Sequence, residues 1–143
     1  MKTVSPANYT RVLICEDNRD AAETLAALLK CDGREVRIAH DGPSAIAQAQ
    51  QWRPTVAIVD IGLPGVTGYA VAQSIRALPG GSDVLLIAIT GYGSASDIEM
   101  ARHAGFNWHF AKPAHPSFIA EVLKEPGRAP IHQRDGIPLD RKN

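Results

Sequence analysis

Apolar residues are concentrated in five short runs of the chain, each of a length suited to a β-strand. These runs are residues 12–15, 36–39, 56–59, 84–89 and 108–111. The first, third and fourth are nearly continuous and rich in β-branched side chains, a pattern typical of strands covered on both faces of a parallel sheet. These three runs are therefore predicted to form the centre of a sheet.

The segments between these runs have helical periodicity. Apolar side chains recur every three or four positions in segments 19–30, 42–52, 69–78, 94–105 and 116–124. Strand and helix thus alternate along the chain, which predicts βαβ units with right-handed crossovers. The expected fold class is α/β with a parallel sheet.

The domain boundaries are predicted from where this alternation starts and stops. Residues 11–125 are expected to form one domain, since a chain of 143 residues is long enough for a single compact core. Residues 1–10 and 126–143 lack periodicity, and the C-terminal segment is rich in proline and glycine, so both are expected to be flexible. A linker to a further domain would have the same composition as the C-terminal segment.

The charge balance argues against several classes of function. The chain has 15 basic and 15 acidic side chains and a formal net charge of zero, which disfavours binding to nucleic acid or to a membrane surface through bulk electrostatics. No apolar stretch approaches the roughly 20 residues of a membrane span, and the N-terminus lacks the apolar region of a secretory signal. We therefore expect a cytoplasmic protein with no nucleic-acid or membrane partner.

Charged and polar side chains follow the predicted strands at the points where those strands end. The residues after the first, third, fourth and fifth runs are Glu16, Asp17, Asp60, Thr90 and Lys112. Ligands of open α/β sheets bind outside the carboxyl ends of the strands, where the strand order reverses. These side chains are expected to converge there, whereas His40 and Asp41, which follow the second run, are expected at the edge of the sheet.

This set of side chains suits phosphoryl transfer. Carboxylates that lie close together repel one another, and a hard divalent cation such as Mg²⁺ relieves the repulsion while it also binds phosphate oxygens. Lys112 could neutralise one phosphoryl oxygen, and Thr90 could donate its hydroxyl to another. Asp60 is the candidate nucleophile, because a carboxylate can accept a phosphoryl group as an aspartyl-phosphate.

The same residues, in this order and spacing, resemble the receiver domain of two-component response regulators. The resemblance extends over residues 10–125 and includes the segments CEDNRDAAETLAALL, VDIGLPGVTGY, AITGYG and HAGFNWHFAKP. It implies a flavodoxin-like, doubly wound sheet of five parallel strands in the order 2-1-3-4-5, with helices on both faces. It also implies that Asp60 accepts a phosphoryl group from a phosphohistidine of a histidine kinase or a phosphotransfer protein, with Mg²⁺, or alternatively Mn²⁺, as cofactor.

The resemblance implies a role for each site residue. Asp17 and Asp60 would bind the metal together with the backbone carbonyl of Gly62. Glu16 would act mainly through a metal-bound water. Thr90 would be the switch hydroxyl that follows the phosphoryl group.

Two further expectations concern the fifth strand. The second switch position, which is often Tyr or Phe in the family, falls on His109, and the Lys112–Pro113 peptide bond is often cis in the family.

The resemblance places the contact with a downstream protein partner on the fourth helix, fifth strand and fifth helix. A monomer or a weak dimer is expected.

Other interpretations account for parts of the pattern. Asp60 or Thr90 alone could cap a helix, and Lys112 alone could be a surface lysine, but their joint presence favours a functional site. An aspartate-nucleophile phosphatase would need a second acid two residues after the nucleophile, where this chain has Gly62. We therefore expect a phosphoacceptor rather than a turnover enzyme, in the form of a stand-alone regulator. The alternatives are a receiver cut from a hybrid histidine kinase and a phosphorylation-independent binding module.

Overall fold

The structure, a computed structural model, describes residues 9–91, 94–124 and 136–139. Flexibility was predicted for residues 1–10 and 126–143. Of these two segments, residues 1–8, 126–135 and 140–143 lie outside the described residues.

The described residues form one sheet in the order β2-β1-β3-β4-β5-β6. Its strands are β1 (Arg11–Cys15), β2 (Glu35–Ala39), β3 (Val56–Asp60), β4 (Leu85–Thr90), β5 (Trp108–Ala111) and β6 (Ile137–Pro138). The first five are parallel, in the expected order 2-1-3-4-5, whereas β6 runs antiparallel to β5. The α/β fold class is therefore confirmed, with one strand more than the five predicted, and the additional strand lies in the C-terminal segment.

In the part of the chain that the structure describes, five α-helices and one short 3₁₀-helix accompany the strands. They are α1 (Arg19–Cys31), α2 (Gly42–Trp52), α3 (Gly68–Arg76), the 3₁₀-helix Gly81–Asp83, α4 (Ala95–Ala104) and α5 (Pro116–Lys124). One apolar cluster joins α1 and α5 to the sheet and includes Leu29 and Ile119. A second cluster joins α2, α3 and α4 to it and includes Ala49, Ile75 and Ala101. Helices thus cover both faces of the sheet, as expected.

Burial on both faces explains the continuous apolar runs. In β1, Val12 and Ile14 belong to the cluster with α1 and α5, whereas Leu13 and Cys15 belong to the opposite cluster. Side chains alternate between the faces of a strand, so a strand covered on both faces needs apolar residues at every position.

The helix starts are fixed by side-chain caps. Asn18 accepts a hydrogen bond from the Ala21 N–H at the start of α1, and Ser94 accepts one from the Asp97 N–H at the start of α4. Such caps satisfy backbone donors that have no partner within the helix. Because Ser94 caps α4, the alternative in which Thr90 caps that helix is wrong.

The start of α3 packs closely against the end of β3. The Gly68 N–H donates to the Ile61 carbonyl at 3.0 Å. A Cβ atom at position 68 would lie 2.7 Å from both the Asp60 carbonyl oxygen and the Ile61 Cα. Glycine therefore permits the close approach that holds the loop after Asp60 in place.

Candidate functional site

Asp60 is the last residue of β3, and its carboxylate is fixed by two donors. Its side chain is only 6% exposed. Oδ1 accepts a hydrogen bond from the Gly62 N–H at 2.9 Å, and Oδ2 accepts one from the Lys112 ammonium at 2.7 Å. β3 thus places the Asp60 carboxylate in a defined orientation at the carboxyl-terminal edge of the sheet.

Lys112 reaches this carboxylate from the end of β5. Its backbone N–H donates to the Thr90 carbonyl at 2.7 Å, and the Lys112–Pro113 bond is cis, as the resemblance implied. The ammonium also lies 3.4 Å from Glu16 Oε1, so it contacts two carboxylates. Although partial burial favours the neutral amine, the hydrogen bond and charge of Asp60 outweigh it and raise the pKa of Lys112.

Glu16, Asp17 and Asp60 form an acidic cluster in which one carboxylate oxygen of each residue lies within 4.8 Å of those of the other two. Glu16 and Asp60 are buried, and Asp17 is exposed to solvent. The pKa of Glu16 is raised to about 7, mainly by burial and in smaller part by the negative charge of Asp60. Ionising all three carboxylates at this partly buried site therefore costs free energy.

This donor set fits a hard divalent cation. Three carboxylate oxygen donors close together are the ligands that Mg²⁺ prefers, and the exposed side of the cluster leaves room for the waters that Mg²⁺ retains. Gly62 donates its N–H to Asp60, while the role of its carbonyl as a metal ligand stays a prediction.

His40 follows β2, which is an edge strand of the sheet as expected, but its ring reaches the backbone of Glu16 beside this cluster. His40 Nδ1 lies 2.8 Å from the carbonyl oxygen of Glu16. Asp41 does lie apart and caps α2 through the Ser44 N–H. The sequence gives no signal for the His40 contact, because it depends on the path of the loop after β2.

Thr90 and His109 form a second polar pair on neighbouring strands. Thr90 Oγ1 lies 3.0 Å from His109 Nε2, within hydrogen-bond distance. Both residues are buried, and His109 is 1% exposed. Burial lowers the pKa of His109, and the Asp97 carboxylate only partly opposes this effect, so the environment favours the neutral ring. The ring therefore already lies inside the protein, in contact with the predicted switch hydroxyl.

An apolar cavity of about 560 Å³ adjoins the acidic cluster. Its walls include Leu25 of α1, Pro113 of the segment between β5 and α5, and Ile119 of α5. Glu16 and Lys112 also line it, so the cavity opens beside the ion pairs of the site.

The comparison with known families agrees with this geometry. The family model of the response regulator receiver domain matches residues 12–124. The chain belongs to this family. Among curated relatives, this receiver domain is 35% identical over 104 residues to the sensory transduction protein RegX3 of Mycolicibacterium smegmatis. That match covers 73% of this chain but only 44% of RegX3, so the chain spans less than half of that relative.

Solved receiver structures have the same fold. The receiver domain of a sensor histidine kinase from Pseudomonas aeruginosa, solved with a magnesium ion in its active site cleft, is 30% identical with a TM-score of 0.73, covering 80% of this chain and 94% of that one. A response regulator from Burkholderia pseudomallei, solved with a phosphorylated aspartic acid, a calcium ion and citrate, is 28% identical with a TM-score of 0.73, covering 81% of this chain and 67% of that one.

No helix within residues 9–91, 94–124 and 136–139 of this receiver domain is long and apolar enough to cross a membrane.

Proposed function

We propose that this receiver domain accepts a phosphoryl group on Asp60 from a phosphohistidine of a histidine kinase or a phosphotransfer protein, in a Mg²⁺-dependent reaction. The observation that carries the proposal is the Asp60 carboxylate, which is held by Gly62 and Lys112 within the acidic cluster. Oriented donors and a nearby cation site are what phosphoryl transfer requires of a protein.

The transfer forms a bond between a carboxylate oxygen of Asp60 and phosphorus, and it breaks the bond between phosphorus and the histidine nitrogen of the donor. Lys112 offsets negative charge that develops on the phosphoryl oxygens. Asp17, Asp60, Glu16 and the Gly62 carbonyl would hold Mg²⁺, with Mn²⁺ as an alternative. The bound cation would supply further charge neutralisation.

Phosphorylation would switch a protein-interaction face. Thr90 would turn its hydroxyl toward the phosphoryl group, and His109, which contacts that hydroxyl, would respond. The face built from α4, β5 and α5 would then change its preference for a downstream protein partner. A local change in charge thereby acts through a two-state element.

Two similar proteins support the proposed phosphorylation of Asp60, and the charge balance bears on the choice of partner. A phosphorylated aspartic acid and a magnesium ion occur in the two solved relatives described above. The zero net charge disfavours nucleic acid as a partner. We propose a cytoplasmic phosphoacceptor that is a monomer or weak dimer, with slow autodephosphorylation and no catalytic turnover.

The test is the intact mass after incubation with acetyl phosphate, with and without Mg²⁺. Wild type is compared with Asp60→Asn and with Asp83→Asn, a matched change at an exposed residue of the 3₁₀-helix. One phosphoryl adduct that needs both Mg²⁺ and Asp60, and persists in Asp83→Asn, would support the proposal. An adduct of equal yield in Asp60→Asn would contradict it. If no adduct forms, transfer from a phosphorylated histidine kinase decides, and failure there would favour a phosphorylation-independent binding module.

A further inference from the structure

The edge of β5 is occupied by a segment of the same chain. Ile137 pairs with His109 and Pro138 pairs with Trp108 in antiparallel register. The Leu139 N–H donates to the Asn107 carbonyl at 2.8 Å. Leu139 is 9% exposed and belongs to the apolar cluster on the α2, α3 and α4 side. Residues 136–139, which we call the C-terminal strap, therefore cover the open edge of the sheet.

The strap is fitted to this edge by a glycine. Gly136 has a φ of +137°, and a Cβ atom there would lie 2.5 Å from the ring of Phe110. A larger residue would therefore clash with a side chain that is itself 1% exposed. The edge thus accommodates an extended segment with a small residue over Phe110 and an apolar residue three positions later.

The strap is linked to the phosphoacceptor site through one residue. His109 pairs with the strap through its backbone and contacts Thr90 through its ring. If the Thr90 hydroxyl turns to a phosphoryl group, the buried His109 Nε2 loses this partner. The ring must then move or admit water, and either change disturbs β5 at the position where the strap pairs.

We propose that the C-terminal strap is a built-in competitor for the β5 edge and is released when Asp60 is phosphorylated. The released edge takes an extended segment of a partner protein, by strand addition. That segment has the pattern of the strap itself, a small residue followed three positions later by Leu or another apolar residue. The inference rests on the proposed function, because release requires the phosphoryl group.

Hydrogen exchange of the full chain tests the release step. Phosphorylation, verified by intact mass in the same sample, should speed exchange of the strap and β5 amides by about tenfold or more. Amides of β1 serve as the internal reference and should not change. An adduct with unchanged exchange of the strap would overturn the inference and leave the proposed function standing. Absence of any adduct, even with a histidine kinase as donor, would overturn both.

A point variant tests the competition without phosphorylation. Gly136→Ala should displace the strap, and Gly33→Ala is the matched control, because Gly33 also has a positive φ of +82° but has open space around it. The probe is a labelled peptide of the strap sequence, RDGIPLDR, with a scrambled peptide as reference. Gly136→Ala should bind the peptide about tenfold more tightly than Gly33→Ala does, as expected when a competitor is removed.

Two outcomes would contradict the competition. Equal peptide binding by the two variants would mean that the strap does not compete for the edge. A dimer of Gly136→Ala in sedimentation, at concentrations where wild type and Gly33→Ala are monomeric, would mean that a second copy of the chain takes the edge. That result would overturn the proposal that the β5 edge binds a segment of a partner protein.

Discussion

Asp60→Asn should stabilise the metal-free protein at alkaline pH. The substitution removes one negative charge from the acidic cluster and keeps the size of the side chain. Asp60 is one of the groups that raise the pKa of Glu16, so its removal should allow Glu16 to ionise at lower cost. The relief of the repulsion between Asp60 and Glu16 would then increase the free energy of unfolding.

The magnitude follows from the pKa of Glu16. A rise from 4.5 to about 7 corresponds to about 3 kcal/mol of destabilisation when Glu16 is ionised. Burial causes the largest part and remains in the variant, so the part due to Asp60 is on the order of 1 kcal/mol. The lost ion pair with Lys112 opposes this gain only weakly, because the Lys112 side chain is 38% exposed and Asn can still accept its hydrogen bond. We expect a net stabilisation of about 1 kcal/mol at pH 8.

The difference between variant and wild type should depend on pH. The pKa of Glu16 is raised in the folded state, so its cost is complete above pH 7 and disappears as pH falls toward the ordinary value of 4.5. The lowered pKa of His109 acts in the other direction, because stability is lost as pH falls below its ordinary value of 6.5. Both proteins contain His109, so its contribution cancels in the difference.

Urea unfolding followed by circular dichroism, in buffer with a chelator, measures this difference. Asp60→Asn should be more stable than wild type at pH 8 and equal to it near pH 4.5, while Asp83→Asn should match wild type at both. A variant that is less stable than wild type at pH 8, or a gain that does not depend on pH, would refute the reasoning. Saturating Mg²⁺ should make wild type more stable than Asp60→Asn, because only wild type keeps all three carboxylates.

Three further outcomes are expected. Thr90→Val leaves the buried His109 Nε2 without this partner and should cost about 1–3 kcal/mol in urea unfolding, whereas Thr90→Ser should cost less. Gly68→Ala forces a Cβ against the backbone at the end of β3 and should lower stability by about 2 kcal/mol or more. Gly91→Ala should not reproduce this loss, because Gly91 also lacks a positive φ but has open space around it. Lys112→Gln should slow formation of the acetyl phosphate adduct by about 10-fold or more, and an unchanged rate would contradict the charge-neutralising role.

The sequence was sufficient to predict most of the fold and the convergence of Glu16, Asp17, Asp60 and Lys112 at one edge of the sheet. The central strands are covered on both faces, so their composition alone distinguishes them from the helices. Asp60 and Lys112 meet because the carboxyl ends of parallel strands share one edge, which is a consequence of topology. The order and direction of the strands in the sheet therefore explain why residues far apart in the chain come into contact.

The features that were not predicted depend on side-chain direction or on a short long-range pairing. The ring of His109 could have pointed to solvent, and nothing in the sequence indicates its contact with Thr90. The strap contains two strand residues, one of which is a proline, so its composition is that of an irregular segment. Its pairing depends on the β5 edge, which is not visible in the local sequence.

The two edges of the sheet are protected against aggregation in different ways. On β2, exposed Glu35 and Arg37 place charges where another chain would have to dock. On β5, protection comes from the strap, which lies beyond the matched residues 12–124 of the family. A shortened protein that ends at residue 124 would therefore retain the whole phosphoacceptor site but carry an uncovered strand, open to sheet-to-sheet association and to loss of solubility.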